Sequence, residues 1–460
     1  MPNPTPPPMV PTPTPEERRE FALWLVGRLR EAGFQAFWAG GCVRDLTLGQ
    51  CPSDYDVATD ARPEQVTELF RKRTIPVGES FGVVRVRGPH GTGLEIEVAT
   101  FRSDGAYIDG RRPESVVFSS PRLDSERRDF TINGMFFDPF SGEVIDYVGG
   151  LEDLRDGVVR AIGDPFARFG EDKLRLLRAV RFAARFAFKI DAATYSAIVA
   201  MANEINVVAA ERIAGELRKM LVDPKRSLAM EMMLNTGLMA AVLPPVVAMR
   251  GLFQGKPAQP EGDLWDHTKL VLDLLPPEPS FPLAFAALLH DAGKPVTRAI
   301  HDGRMSFHNH EVIGRNLADT LCRRLRISNA ERVRVTWLVE MHQYLGEAKK
   351  LRESRLKRVL ATPGIDELLA LHRADALAST GDASHVDYCE YYLKNEPAGP
   401  INPPPLLSGH DLGRHGIKHG PRFKIYLEAA FEAQLEGMIH SKREALDWLD
   451  TKIAEGELPS

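Results

Sequence analysis

The feature that most limits what this chain can fold into is a change of pattern near Asp164. Before it, short apolar runs of strand character alternate with helical spacing; after it, strand signals nearly vanish. Residues 16–32 place apolar and charged side chains at helical spacing and stop at Gly33. QAFWAG follows as a strand, then a glycine pair with a short helix, then DYDVAT as a second strand. A helix is expected over 64–70, with strands over 81–88 (FGVVRVRG) and 93–102 (GLEIEVATFR). Asp164-Pro165 makes a helix start, with aspartate as the cap and proline at the first helical position. The rest reads as helix and loop, interrupted by Pro/Gly-rich breaks at 252–262 and 397–406. The expected fold class is α+β, a head of mixed sheet and helices followed by an all-helical neck, body and tail. The expected boundaries are a disordered Pro-rich tail over 1–15, the head over 16–150, the neck over 151–250, the body over 262–395 and the C-terminal tail over 400–460.

Composition sets the class. The chain has 460 residues, 43% hydrophobic and 26% charged, as expected of a soluble globular protein of several domains. No apolar run is long enough to cross a membrane, and the N-terminus lacks the apolar stretch of a secretory signal. Cys42, Cys51, Cys322 and Cys389 show no CxxC pairing, which fits reduced thiols in a cytoplasmic protein. The net charge of −5 says little, because an acidic chain can still present a basic groove. The basic side chains concentrate at Arg111, Arg112, Arg127 and Arg128, along 173–185, and at 351–358 (LRESRLKR).

Asp54 and Asp56 flank Tyr55. On a strand, residues two apart share a face, and paired carboxylates repel unless cations lie between them. Hard oxygen pairs suit Mg²⁺, and two such ions can clamp the attacking and leaving oxygens of a phosphoryl transfer. Upstream, Gly40-Gly41-Cys42-Val43-Arg44 is a glycine-rich turn that lets backbone N–H groups approach a triphosphate, with Arg44 for its charge. Downstream, Glu95 and Glu97 share a strand face, and Glu97 is the preferred third carboxylate.

The stretch AGGCVRDLTLGQCPSDYDVATDARPE resembles the first motif of the class II tRNA nucleotidyltransferases and bacterial poly(A) polymerases, which share a polymerase-β-like head. FGVVRV and EVATFRSDGAYIDGRRPESVVF resemble that family's strands and flexible loop. ERRDFTIN resembles its ribose-recognising motif, EDKLRLLR its base-reading motif, and ERIAGELRKML the neck motif. The resemblance spans about residues 16–250. It implies two Mg²⁺ ions on Asp54, Asp56 and Glu97, with CTP and ATP as substrates and tRNA as partner. It implies nucleotide binding by Gly40, Gly41, Arg44, Arg128, Asp129, Asn133, Asp172, Arg175, Arg178 and Arg181. Gly134 departs from the alanine or serine common in the family and reads as tolerated.

The base-reading motif has a physical logic. Residues 171–185 are expected on one helix, where Asp172 and Arg175 would be neighbours. A carboxylate accepts hydrogen bonds and a guanidinium donates several in a fixed plane, so the two can match the edge of a base without a template. The i, i+3 row drifts by roughly 60° per step. Arg178 can still flank the nucleotide, whereas Arg181 is expected on phosphate, RNA or a structural partner.

A second constellation lies in the helical body: His267, His290-Asp291, His308, His310, His342 and Asp375. It resembles an HD-type metal-dependent phosphohydrolase domain, with His267, His290, Asp291 and Asp375 as the implied ligands and His310 and His342 as candidates for a second ion. Imidazole with carboxylate suits a divalent transition metal as well as Mg²⁺. His301 and His308 read as structural or surface groups. Gly409-His410-Asp411 reads as a helix start capped by Ser408 or Asp411, in a tail expected to contact the tRNA elbow.

Three readings follow: a tRNA nucleotidyltransferase that makes the 3′ CCA end or adds its terminal A, a poly(A) polymerase, and an HD phosphohydrolase with an RNA-binding head. The intact carboxylates oppose the last, and the HD body favours the first. The stretch DGAYIDGRRP (104–113) reads as the loop that enzymes adding only CC tend to lack.

Overall fold

The computed structural model describes residues 12–76, 82–104, 116–253, 262–301, 304–396 and 399–458. Most of the Pro-rich tail, most of the 104–113 stretch with Arg111 and Arg112, and most of the 252–262 break lie outside the described residues. The chain divides into two compact units, Met1–Pro244 and Pro245–Ser460.

The first unit opens with α1 (Pro15–Glu31), begun by a Thr14/Glu17 capping box and followed by Gly33 at φ +88°. Then come β1 (Ala36–Ala39), α2 (Gly41–Thr47), β2 (Asp56–Thr59), α3 (Pro63–Leu69), β3 (Thr74–Pro76), β4 (Val83–Arg87) and β5 (Glu95–Thr100). After β6 (Arg102–Asp104) and β7 (Val116–Phe118) the chain forms α4 (Pro121–Glu126), a 3₁₀ turn over Thr131–Asn133, and the short strands β8 (Phe136–Phe137) and β9 (Val144–Ile145). The main sheet has seven strands in the order β3-β4-β5-β2-β1-β8-β9. Only the central β2/β5 pair is parallel, the others being antiparallel. Ala39, Ala58, Phe101 and Phe136 make a core cluster on this sheet, joined by Phe37 and Ile145.

Next are α5 (Gly150–Asp156), β10 (Val158–Val159), α6 (Pro165–Glu171), α7 (Leu174–Phe186), β11 (Lys189–Ile190), α8 (Ala192–Met201), α9 (Ala210–Leu221), α10 (Arg226–Asn235), α11 (Leu238–Val242) and α12 (Pro244–Val247). Asp164 caps α6, accepting from the Phe166 and Ala167 N–H groups, with Pro165 at its first position. Two expectations fail here. The neck is not wholly helical, because β10 pairs in parallel with β11. The two-residue bridge is too short to leave a period-2 signal. Residues 171–185 are also not one helix. Asp172 takes an extended backbone (φ −148°, ψ 105°) and ends α6, and its carboxylate accepts the Leu174 N–H at 3.1 Å, so α7 starts afresh.

The second unit contains α13 (Leu264–Leu274), α14 (Phe281–Leu289), α15 (Lys294–Thr297), α16 (His310–Arg324), α17 (Asn329–Met341), α18 (Glu353–Leu360), α19 (Ile365–Ser379) and α20 (Ser384–Asn395). A hairpin of β12 (Ala299–His301) and β13 (Arg304–Ser306) interrupts the helical body, the second departure from an all-helical reading. The tail packs α21 (Gly409–Arg414), α22 (Arg422–Leu435) and α23 (Lys442–Ala454) around Leu412, Phe423, Tyr426, Ala445 and Leu449. Ser408 caps α21, and its N–H donates to the Asp411 carboxylate at 2.9 Å.

Candidate functional site

In the first unit a cavity of about 540 Å³ is lined by Gly40, Gly41, Arg44, Asp56, Arg128, Asp129, Asn133, Asp172, Arg175, Arg178, Arg181 and Arg212, among others. Asp56 opens β2 and lies directly across the parallel pairing from Glu97 on β5. Asp54 precedes the strand, not within it as DYDVAT suggested. The two aspartates are exposed while Tyr55 between them is buried against Trp38, with ring centroids 4.8 Å apart. That packing turns both aspartates outward. The protein atoms crowded around it and the neighbouring Glu97 push the Asp56 carboxyl up to about 6, even though part of the side chain reaches solvent. Arg18 of α1 pairs with Asp54, and Arg85 of β4 lies 3.1 Å from Glu97 and 3.4 Å from Glu95. Asp54, Asp56 and Glu97 offer carboxylate oxygens of the hardness that a divalent cation such as Mg²⁺ takes, with Arg18 and Arg85 on the outer two.

The glycine turn is strained as only glycine allows. Gly40 has φ +71°, and a Cβ there would stand 3.2 Å from Arg128 Nη1. Arg44, expected to offer its charge to a triphosphate, lines the cavity but is largely buried. It bonds Asp45 (2.7 Å) and the Asn133 side-chain oxygen (2.6 Å), and lies over the Phe182 and Phe186 rings. It ties α2 to the Thr131–Asn133 turn. Arg128 pairs with the buried Asp124 at 2.9 Å, an anchor missed in the sequence because nothing local marks Asp124 as buried. Asp129 is buried and would titrate high on that account. Arg178, 2.6 Å away, and the Asn133 amide at 3.1 Å instead hold it down to about 2.

Asp172 and Arg175 do not pair with each other. Asp172 takes a two-pronged bond from Arg212 of α9, at 3.1 and 2.7 Å. Arg175 bonds Glu171 at 2.5 Å and the Arg168 carbonyl at 2.9 Å. Arg181 is buried and meets the buried Glu216 at 2.5 Å, so its guanidinium serves a structural partner. Gly134 packs under Val148 and Ile162, whose side chains a Cβ would meet at 2.7 and 3.0 Å, so alanine there would need those side chains to shift.

The second unit gathers two groups of potential ligand atoms: His267, His290 and Asp375, and separately Asp291, His310 and His342. His290 ends α14, and the turn beyond it aims Asp291 at the other group. This is how adjacent residues serve two directions. His267 Nε2 lies 3.3 Å from His290 Nε2 and 3.1 Å from Asp375 Oδ1. His310 Nε2 lies 3.3 Å from His342 Nε2, and both approach Asp291 Oδ1, at 3.3 and 3.5 Å. The Nδ1 atoms of His290, His310 and His342 lie 2.8, 2.8 and 2.7 Å from backbone carbonyls. Carbonyls only accept, so each Nδ1 carries a proton and each Nε2 turns inward toward the other ligand atoms, the orientation that a bound cation would use. Despite burial, His290 and Lys294 hold Asp291 well below the usual carboxylate range, and His267 and His290 hold Asp375 at about 2. Gly293 permits the approach, since a Cβ there would stand 2.1 Å from the His310 carbonyl oxygen. His308 is exposed, as expected, and the His301 side chain lies outside the description.

Comparison with known proteins gives the class. The Poly A polymerase head domain matches residues 36–160, the "Probable RNA and SrmB-binding site of polymerase A" matches 187–249, and the HD domain matches 266–380. By these matches the chain combines a polymerase-type head, an RNA-binding segment and an HD domain. Over about half its length it is similar to CCA-adding enzymes. That of Leuconostoc mesenteroides is 43% identical over 47% of this chain and 53% of its own length. That of Anoxybacillus flavithermus is 40% identical over 49% and 55%. The chain thus spans about half the length of the curated relatives it matches. The Bacillus stearothermophilus CCA-adding enzyme in complex with CTP superposes with a TM-score of 0.62 at 26% identity, over 97% of this chain and 99% of the other. The Thermotoga maritima CCA-adding enzyme complexed with tRNA shares the fold at 20% identity, with a TM-score of 0.60 over 94% and 95%. Among the described residues no helix is long and apolar enough to cross a membrane.

Proposed function

We propose that this chain is a cytoplasmic, template-independent tRNA nucleotidyltransferase that adds C and A, or the terminal A, to the tRNA 3′ end from CTP and ATP. The observation that carries the reading is the single cavity that joins Asp56 to Arg128, Asp172, Arg175 and Arg178. It puts a phosphate-transfer carboxylate and hydrogen-bonding groups that can read a base edge within one nucleotide's reach. The relatives' identity as CCA-adding enzymes supports the same reading.

Asp54, Asp56 and Glu97 would hold two Mg²⁺ ions, which when bound acidify the RNA 3′-hydroxyl and neutralise the leaving pyrophosphate. The hydroxyl oxygen bonds to the α-phosphorus of the nucleoside triphosphate as the bond to pyrophosphate breaks. Arg128 and Arg178 supply positive charge along the cavity wall. Asp129 with Asn133 holds the floor on which the ribose rests. Asp172 and Arg175 exchange Arg212 and Glu171 for the Watson–Crick edge of the incoming base. The test offers tRNA ending at the discriminator base, at C or at CC, with CTP and ATP, and sizes the products. Asp54→Ala should abolish incorporation with an unchanged circular dichroism spectrum. Full activity in that variant would sink the assignment, and long A-tracts on unstructured RNA would shift it to poly(A) polymerase.

The histidine cluster supports a second reading, a divalent-metal centre on His267, His290, Asp291 and Asp375 with His310 and His342. A transition metal or Mg²⁺ there would activate water for hydrolysis of phosphomonoesters or cyclic phosphates. Metal analysis of the purified protein and of His290→Ala tests it.

A further inference from the structure

The carboxylates of the head are not equally provided with partners, and the difference is informative. Asp54 is exposed (80% of its side chain) and precedes β2, so no strand pairing fixes it. What holds it is Arg18, whose Nη1 donates both to Asp54 and to the Ser53 carbonyl at 2.7 Å. Arg18 projects from α1, a helix outside the sheet. Glu97 has a separate arginine, Arg85, its cross-strand neighbour on β4. Arg85 reaches Glu95 as well, so one guanidinium spans the two glutamates of that strand face. Asp56, between them, makes no ion pair with Arg18 or Arg85. The ligand oxygens of Asp54, Asp56 and Glu97 are not drawn within 4.8 Å of one another, whereas each histidine group of the other unit is. Two arginines on different elements thus pair with the outer carboxylates, Arg18 with Asp54 and Arg85 with Glu97.

We propose that Arg18 and Arg85 are exchangeable counter-ions of the head carboxylates. Each occupies a carboxylate that must be released for a divalent cation to bind at Asp56, so loading the metal means exchanging guanidinium for metal. The inference rests on the carboxylate-site reading above. The physical case is direct. Three carboxylates in one place repel, and a chain that folds without its ions needs compensating charge there. A guanidinium forms bonds to carboxylate that a hard divalent cation can displace, because the partners are solvent-exposed and such exposed pairs contribute little net stability. Each arginine that stays near the loaded site also repels the incoming cation. Its removal should therefore tighten binding by about thirtyfold, the factor for a unit charge and a divalent ion about 4 Å apart at water-like screening.

The experiment titrates Mn²⁺ into the full chain and follows bound ion by electron paramagnetic resonance. Asp54→Ala identifies the sites that depend on the head, so that any Mn²⁺ on the histidine cluster is counted apart. In Arg18→Ala and Arg85→Ala the Asp54-dependent site should bind about thirtyfold more tightly, and in the double variant more tightly still. Arg18→Lys, which keeps the charge, should bind as the parent chain does. In the parent chain, the side-chain ¹⁵Nε signal of Arg18 should shift on adding Mg²⁺. Unchanged or weaker Mn²⁺ binding in both alanine variants overturns the counter-ion role while the nucleotidyltransferase reading stands. A parent chain with no Asp54-dependent Mn²⁺ site overturns both.

Discussion

At the residue scale, much of the chemistry was visible in the letters, while the partners were not. Asp54, Asp56 and Glu97 could be picked out because strand alternation is local. Arg212 could not be paired with Asp172 from sequence, because the two lie 40 positions apart and meet only through the packing of α7 against α9. Glu216 was missed for the same reason, and it recasts Arg181 as half of a buried pair. Arg181→Met should destabilise the chain by about 1–3 kcal/mol in urea unfolding, because the buried Glu216 carboxylate then keeps only the weaker pairing with Lys219 at 3.4 Å. Adding Glu216→Leu should recover most of that loss, and no recovery would mean that the pair is not the cause. A second residue sets a pH dependence. Burial pushes the His372 imidazole from 6.5 down to about 4. The unfolded chain therefore binds the extra proton first, and stability falls as the pH drops through this window from about 6.5 to about 4. The loss by the lower end should be on the order of 3 kcal/mol, read from urea midpoints across that range. A flat profile would show that His372 is solvated in the folded chain.

At the scale of elements, the sequence predicts the order of the head well and its breaks poorly. The helix of residues 16–32, the strand at 36–39 and the Asp164-Pro165 start all leave strong local signals, because caps and periodicity act over a few residues. The break at Asp172 has no such mark. It arises because that carboxylate caps α7 and faces Arg212, contacts that reward an extended backbone more than a continued helix. The two-residue β10/β11 bridge and the β12/β13 hairpin were invisible because strands this short carry no period. Glycine shows the same limit. Nothing in HDAGKP says that Gly293 touches the first turn of α16, yet a methyl group there meets the His310 carbonyl. Gly293→Ala should push α16 outward, cost about 1–3 kcal/mol and lower bound divalent metal. Calorimetry with elemental analysis checks both, and an unchanged metal content would show that His310 is not held by this approach.

At the scale of the whole molecule, the two sets of ligands differ in kind and lie in separate units of the chain. Oxygen donors prevail in the first and imidazole in the second, so a metal dependence measured on the intact protein mixes two sites. Asp54→Ala should lose nucleotide incorporation while keeping its transition-metal content, and His290→Ala should lose that content. Loss of metal in Asp54→Ala would mean that the two are coupled. The Asp172–Arg212 bond carries a further consequence. The carboxylate proposed to face the base sits on a helix junction and takes its orientation from a helix further along the chain, while the sheet beside the carboxylates proposed for transfer ends before either. In a chimera that exchanges only the sheet-bearing segment between two relatives, the choice of base should follow the recipient, and selectivity should be inherited with the neck.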